Sequence, residues 1–279
     1  MSNLMGKISD FKKNLIEQER SPHTITKYVH DVKILLTFVG KRTISKELVI
    51  KYKSFLGERY AVSSANSMLA AANSFLGFVG REDCRVKPFK VQRTMFVLEE
   101  KELHRSEYLS LLEAARQQKN ERLMLVLETI CATGIRVSEL KFVTVNAVRT
   151  GRTEINSKGK HRTVFLPPQL CRLLKDYLKK QKITAGAVFV TRNGKPLNRS
   201  NIWRDMKKLC GLAAVYPSKV FPHNLRHLFA KTYYSHEKDL SRLADILGHS
   251  SVNTTRIYTM ENGQIHARQI EQLGLVITT

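Results

Sequence analysis

Acidic residues and long apolar runs are scarce in this chain. Its 279 residues include 47 lysine and arginine residues but only 24 aspartate and glutamate residues, which gives a formal net charge of +23 at pH 7. The excess positive charge is spread along the chain and predicts a polyanionic partner. No apolar run reaches the roughly 18 residues that suggest a membrane span, and segment Met1–Arg20 lacks the apolar core of a signal peptide. We therefore expect a cytoplasmic protein that does not enter a membrane.

Paired cysteines, nucleotide-binding loops and acidic clusters are absent as well. The four cysteines stand singly without a Cys-x-x-Cys pair, so they predict reduced structural thiols and no zinc clip. The sequence has no Gly-x-x-x-x-Gly-Lys-Ser/Thr loop, and no group of acidic residues suits two-metal catalysis. We therefore expect chemistry that uses neither a cofactor nor a metal.

The length and the hydrophobic pattern predict two domains. Four amphipathic helical segments fill the first part of the chain, and one of them opens with Ser21 as a cap and Pro22 at the first helical position. We expect residues 1–82 to form a helical bundle with a basic surface. Residues 83–104 are rich in charge and break the helical pattern, which predicts an extended linker. Residues 105–279 then make up the second domain.

The second domain is predicted to be helical apart from one hairpin. β-Branched residues at 153–155 and 163–166 flank the polar, positively charged sequence Ser-Lys-Gly-Lys, which is typical of a hairpin tip. The segments with a helical pattern are 105–117, 121–133, 168–180, 198–209, 223–235 and 240–247. The fold class is therefore mainly α with a small β-sheet in the second domain, an α+β architecture.

Five residues of the second domain together suit phosphodiester chemistry on DNA. They are Arg136, His223 and Arg226 in a His-x-x-Arg sequence, His249, and Tyr258 nine residues later. A tyrosine hydroxyl can attack phosphorus, two guanidinium groups can hold the pentavalent anion that forms, and two imidazoles can move or share its proton. A free tyrosine with a pKa near 10 is ionised to roughly one part in a thousand at pH 7. A base and a cationic environment must therefore contribute roughly 4 kcal/mol.

Each of these residues also has an ordinary structural interpretation when it is taken alone. An arginine at a helix start is commonly a solvated charge, and a histidine after a C-cap glycine is commonly a cap residue. His223 and His227 stand four positions apart, as in a zinc site, but the glutamate of the zinc-protease motif and a third ligand are missing. Lysines in a hairpin tip are common whatever the function. The combination, and not any single residue, predicts catalysis.

The motifs that carry these residues resemble those of the tyrosine recombinase (phage integrase) family, in particular its Xer-like and transposon integrase members. The matching sequences are Thr-Gly-Ile-Arg-Val-Ser-Glu-Leu, His-Asn-Leu-Arg-His, Leu-Gly-His and the tyrosine nine residues beyond. The resemblance covers nearly the whole chain. It implies an N-terminal core-binding domain and a catalytic domain that close on DNA as a C-shaped clamp.

The resemblance also implies a role for each site residue. Tyr258 would be the nucleophile that forms a 3′-phosphotyrosine and frees a 5′ hydroxyl. Arg136 and Arg226 would hold the non-bridging oxygens, His249 would add a hydrogen bond to them, and His223 would accept a proton near the tyrosine. Because the covalent intermediate conserves the energy of the broken bond, rejoining would need no external energy source.

The hairpin is where the sequence departs from the family pattern. By resemblance, Lys158 is the hairpin lysine that gives a proton to the departing 5′ oxygen. The tip, however, is about one residue shorter than is typical, which leaves the choice between Lys158 and Lys160 open. We favour Lys158.

The expected activity is site-specific recombination of double-stranded DNA through a Holliday junction, for integration or excision of a mobile element or for resolution of DNA dimers. The resemblance implies a homo-tetramer on two DNA sites, with or without a heterologous recombinase or accessory protein. The twenty or so residues after Tyr258 would pack in a neighbouring subunit, or alternatively close their own domain. Two other functions stay open at this point. They are a type IB topoisomerase-like nicking-closing enzyme and a non-catalytic DNA-binding regulator.

Overall fold

The chain forms two compact units, Met1–Arg93 and Thr94–Thr279, and each is described by itself. The computed structural model describes residues 4–90, 101–157, 160–249, 251–258 and 271–274. Within these residues the fold is mainly helical with a single two-stranded sheet, which confirms the predicted α+β class. No helix in the described ranges has the length and apolar character needed to cross a bilayer.

The N-terminal unit is a bundle of four helices, as the periodicity predicts. Its helices are α1 (Ile8–Glu17), α2 (Pro22–Val39), α3 (Lys46–Arg59) and α4 (Val62–Phe78). Ser21 caps α2 through its hydroxyl, which accepts a hydrogen bond from the Thr24 amide at 3.2 Å. The aromatic centre of the core is Phe11, whose ring meets that of Phe75 edge to face at a centroid distance of 5.2 Å.

Two asparagines of α4 bind the segment that follows the bundle. Asn73 donates to the Val86 carbonyl at 2.8 Å and accepts from the Val86 amide at 3.0 Å. Asn66 makes the same pair of bonds with Phe89, at 3.0 and 2.7 Å. Each amide side chain therefore satisfies both backbone groups of an extended residue, as a neighbouring β-strand would. Residues 85–90, within the stretch predicted as linker, pack on the bundle in this way, and Cys84 and Val86 lie in its core.

The C-terminal unit surrounds helix α6 (Glu121–Thr133), which carries four fully buried apolar residues, Leu125, Val126, Leu127 and Ile130. α6 packs against α10 and also against α5, α8 and α9. The other elements of the unit are α5 (Arg105–Gln117), α7 (Val145–Thr150), β1 (Arg152–Ser157), β2 (Lys160–Phe165), α8 (Pro168–Gln181), α9 (Arg199–Ala213), α10 (Pro222–Glu237), α11 (Leu240–Leu247) and α12 (Val252–Thr255), with 3₁₀ turns at Val137–Phe142, Pro217–Lys219 and Arg256–Tyr258. Helices α5, α6, α8, α9, α10 and α11 match the six predicted segments.

The predicted hairpin is present as the antiparallel pair β1 and β2. Its register runs from Arg152 opposite Phe165 to Ser157 opposite Lys160. Ile155 and Val164 turn inward and are buried in the core of the unit. Inward-facing residues of both strands thus anchor the hairpin to the core of the unit.

The hydrogen bonds of Asn66 and Asn73 to the segment after the bundle predict a local loss of stability when one of these amide side chains is removed. We expect Asn73→Ala to lower the free energy of unfolding of the N-terminal unit by about 1–3 kcal/mol, because both backbone groups of Val86 lose their partners. Peptides that contain Val86 should then exchange amide hydrogen faster when followed by mass spectrometry. Ser64→Ala, at an exposed position of the same helix, is the control. Equal rates of amide hydrogen exchange in the two variants would contradict this role of Asn73.

Candidate active site

The side chain of Arg226 links three segments of the C-terminal unit. It projects from the second turn of α10 and is 1% exposed. Its guanidinium donates to the carbonyl oxygens of Gly134 at 2.5 Å and Leu247 at 2.7 Å. The same nitrogen that binds Leu247 lies 3.0 Å from Nε2 of His249. The residue therefore joins the end of α6 to the end of α11.

The positive charge of Arg226 has no carboxylate partner among the described residues. None of the ion pairs formed by the described residues includes it. Its Nε is buried without a hydrogen-bond partner. Burial lowers the pKa of the guanidinium to about 10 and the charge of Arg136 adds to this effect, whereas Tyr258 opposes it. The group is still charged at neutral pH. A buried cation therefore faces the site, and its Nε–H group has no hydrogen-bond partner among the described residues.

A glycine makes the approach of these segments possible. Gly134 ends α6 in the left-handed region at φ 64°, where side chains are disfavoured. A Cβ at this position would lie 2.4 Å from Cδ1 of Phe229 in α10 and 3.0 Å from Cδ2 of Leu247. Glycine thus allows both the turn and the close contact that brings its carbonyl oxygen to Arg226.

Arg136 follows this turn and shares a carboxylate with a second arginine. Its guanidinium donates to Oε1 of Glu139 at 3.0 Å, its backbone amide donates to Oε2 at 2.9 Å, and its other terminal nitrogen lies 3.4 Å from the Gly248 carbonyl oxygen. Arg162 from β2 binds both oxygens of Glu139. Burial alone would raise the pKa of Glu139, but the hydrogen bonds from the two arginines hold it below its ordinary value. The carboxylate is therefore ionised, and the Arg136 side chain remains 39% exposed.

His249 follows Gly248, which ends α11, and its ring is held at both nitrogens. Nδ1 lies 2.9 Å from Oγ1 of Thr255, and Nε2 faces Arg226. Because a guanidinium only donates, Nε2 must accept, which places the proton of a neutral ring on Nδ1. Burial lowers the pKa of His249 to about 4, and the charge of Arg226 contributes. The imidazole is therefore neutral at pH 7.

Two imidazole rings lie against the ring of Tyr258, and a third lies against one of these two. Its ring meets that of His227 edge to face at a centroid distance of 4.5 Å and stacks near that of His249 at 5.9 Å. His223 contacts His227 at 4.6 Å. Tyr258 itself is 2% exposed and packs with Ala230 in a small apolar cluster. A phosphate can therefore reach its hydroxyl only when neighbouring side chains move.

The structure brings together five of the six predicted site residues. Arg136, His223, Arg226, His249 and Tyr258 all belong to this one site, within the contacts given above. Lys158 lies outside the described residues. Lys160 pairs through its backbone with Ser157 at the start of β2. The choice between the two lysines therefore stays a prediction.

Two residues of the site were not assigned a role from the sequence. The sequence suggests His227 only as half of a metal pair, and among the described residues no group of three or more His, Cys, Asp or Glu side chains is arranged to hold a metal. Its position four residues after His223 on one helix face was the available signal. Arg162 had no such signal, because its partner Glu139 lies 23 residues away in the chain.

Family models match most of the chain. The model of the phage integrase family matches residues 101–264, and that of the phage integrase N-terminal SAM-like domain matches residues 8–83. The first of these covers the entire site described above.

Individual proteins are similar over most of their length. Tyrosine recombinase XerA of Thermococcus kodakarensis is 30% identical, with 95% of this chain and 96% of that protein covered. Tyrosine recombinase XerC of Pelobacter propionicus is 29% identical, with coverages of 93% and 92%. A crystal structure of a lambda integrase tetramer bound to a Holliday junction shares the fold with a TM-score of 0.72 at 16% identity, over 91% of this chain and 76% of that one. The chain therefore belongs to the phage integrase family, the tyrosine recombinases.

Proposed function

We propose that this protein is a site-specific DNA recombinase that cleaves and rejoins DNA through a 3′-phosphotyrosine. The observation that carries the proposal is the buried guanidinium of Arg226. Its hydrogen-bond acceptors within the described residues are neutral, and it lies beside Arg136, His249 and Tyr258. A cation arranged in this way is complementary to an anion that arrives from outside, and its charge acts most strongly where negative charge develops.

In the proposed cleavage step, the Tyr258 hydroxyl oxygen attacks the scissile phosphorus. A bond forms between that oxygen and phosphorus, and the bond from phosphorus to the 5′ oxygen breaks. Arg136 and Arg226 stabilise the negative charge on the non-bridging oxygens. His249 donates a further hydrogen bond once the phosphate displaces Arg226 from Nε2 and the ring proton moves from Nδ1 to Nε2, after which Nδ1 accepts from the hydroxyl of Thr255. The products are a 3′-phosphotyrosine and a strand that ends in a 5′ hydroxyl.

The proton of the tyrosine goes to an imidazole, and the departing 5′ oxygen receives one from a lysine. We assign the first role to His223, because desolvation together with the charges of Arg226 and Arg136 lowers its pKa and keeps it neutral. The ring of His227 lies against those of both His223 and Tyr258 and so connects the two. We assign the second role to Lys158.

Strand exchange follows when the phosphotyrosine is attacked by the 5′ hydroxyl of another duplex, which reverses the same bonds. We propose that residues 1–82 bind the core DNA site, that residues 83–104 link the domains, and that residues 105–279 catalyse, so that the chain closes on DNA as a clamp. A homo-tetramer on two sites, in the cytoplasm, would carry out both cleavages. The tetramer of lambda integrase on a Holliday junction supports this assembly.

The names of the relatives support recombination and give no support to a nicking-closing enzyme or a non-catalytic regulator. Integration or excision of a mobile element and resolution of DNA dimers both fit the same chemistry. The net charge of +23 supports binding to DNA that weakens steeply as salt rises, because each phosphate contact releases counterions.

Covalent trapping tests the nucleophile. We expect the wild-type protein, mixed with a pool of nicked duplexes of varied sequence, to give an adduct that survives a denaturing gel. Tyr258→Phe should give none, because it lacks the attacking oxygen. Sequencing the retained DNA identifies the recombination site, and paired copies of that site then distinguish strand exchange from simple relaxation.

The matched control for trapping is Tyr216→Phe, which changes a tyrosine of the same unit that is 74% exposed. This variant should form the adduct as the wild type does. An adduct that persists in Tyr258→Phe would contradict the assignment of the nucleophile. Relaxation without exchange between paired sites would favour the nicking-closing enzyme.

The neutral histidines of the site predict a loss of stability in acid. Burial lowers the folded-state pKa values of His227 and His249 to about 4. Above pH 6.5 the rings are neutral in both folded and unfolded chains. As the pH falls below about 6.5, these histidines take up protons in the unfolded chain but not in the folded chain, where their pKa values are lower. The free energy of unfolding therefore falls. Between pH 7.5 and 5.5 we expect each ring to lower the free energy of unfolding by at most about 1 kcal/mol, because both rings are partly exposed and solvent screens part of the effect.

Unfolding in urea at each pH is followed by the fluorescence of Trp203. This residue is the single tryptophan and lies in the C-terminal unit. His249→Gln should show a smaller change in the free energy of unfolding between the two pH values than the wild type. His236→Gln, at an exposed position of α10, should behave as the wild type does. An unchanged pH dependence in His249→Gln would show that this ring is not held neutral by the fold.

A further inference from the structure

Arg162 makes a two-point contact that joins the hairpin to the site. Its two terminal nitrogens lie 3.0 and 2.8 Å from the two oxygens of Glu139. Its side chain is 12% exposed and that of Glu139 is 3% exposed, so solvent screens this pair only weakly. A bidentate pair of this kind fixes the orientation of both partners.

The same carboxylate also holds Arg136. Oε1 of Glu139 accepts from both guanidinium groups at 3.0 Å. Two cations therefore share one anion, and the local charge stays positive. Without Arg162, Glu139 would pair with Arg136 alone, which would neutralise Arg136 and draw it away from a phosphate.

Arg162 also lies against the turn that carries His249. A Cβ on Gly248 would come within 2.8 Å of Cδ and 2.9 Å of a terminal nitrogen of Arg162, so Gly248 lies in close contact with this side chain. The carbonyl oxygen of Gly248 is the group that accepts from Arg136. The side chain of Arg162 in β2 therefore contacts both the carboxylate that holds Arg136 and the turn before His249.

We propose that Arg162 is a positioning residue for strand cleavage. It fixes the orientation of Arg136 through Glu139 and the position of His249 through Gly248. This inference rests on the proposed function. Because Arg162 lies on the strand that begins at Lys160, it also ties the hairpin to the phosphate-binding residues. A purely structural ion pair would affect stability without a selective effect on the chemical step.

The kinetic test uses a nicked duplex that carries the sequence recovered by trapping. With Arg162→Met, we expect the rate constant of adduct formation at saturating duplex to fall by about 10- to 100-fold, since misplacing a binding group by about 1 Å has effects of this size. The dissociation constant for the duplex should change by less than roughly threefold. Arg162→Lys should be slow as well, because an ammonium group does not bridge both carboxylate oxygens.

A double substitution tests the route through Glu139. If Arg162 acts through that carboxylate, Arg162→Met should lower the rate constant of adduct formation much less in a Glu139→Gln background than in the wild type. Arg122→Met is the control, since Arg122 is a partly buried arginine of α6 that donates to the Val190 carbonyl oxygen. An adduct rate in Arg162→Met like that of the wild type, or an equal loss in Arg122→Met, would overturn the proposal.

A second test needs no DNA. The charge of Arg162 is among the causes that lower the pKa of His249. In protein with ¹³C-labelled histidine, the His249 resonance should therefore titrate at a higher pH in Arg162→Met than in the wild type or in Arg122→Met. An unchanged titration would overturn the contact through Gly248. If the shift occurs but the wild type forms no adduct with any duplex, the positioning contact stands and the proposed function fails.

Discussion

The buried charge of Arg226 is the interaction on which the rest of the site depends. Removing a guanidinium from water is costly unless hydrogen bonds satisfy it. Two of its acceptors, the carbonyl oxygens of Gly134 and Leu247, stand at the C-terminal ends of α6 and α11. Such helix ends carry unpaired carbonyl groups and partial negative charge. The protein therefore solvates the cation with dipoles and leaves its net charge available to an anion.

The other features of the site follow from this arrangement. Three segments must converge on one guanidinium, and the glycines at 134 and 248 allow the tight turns that bring them there. Glu139 orients Arg136 without cancelling the positive charge of the site, because Arg162 shares the same carboxylate. Burial, together with the charges of the nearby arginines, lowers the pKa of His223 and of His249 and keeps both imidazoles neutral, which is the state in which they can accept a proton.

Local sequence patterns predicted most of the fold and much of the site. The helices of both units and the hairpin follow from periodicity, caps and β-branched residues, which act over a few positions. The pairing of Asn73 with Val86 and of Arg162 with Glu139 joins separate segments, and a single sequence does not show which segments meet. The contact of His227 with Tyr258 is of the same kind, since it depends on how α10 packs beside the last 3₁₀ turn.

The most direct test of this account varies the charge of the protein and that of the DNA together. Cleavage by wild type and by Arg226→Gln, each checked for folding by circular dichroism, would be measured on a duplex with a normal scissile phosphate and on one with a neutral methylphosphonate there. If Arg226 acts by receiving the phosphate charge, the substitution should slow the normal duplex by at least roughly tenfold more than the neutral one. An equal loss on both duplexes would show that Arg226 serves the fold and not the anion.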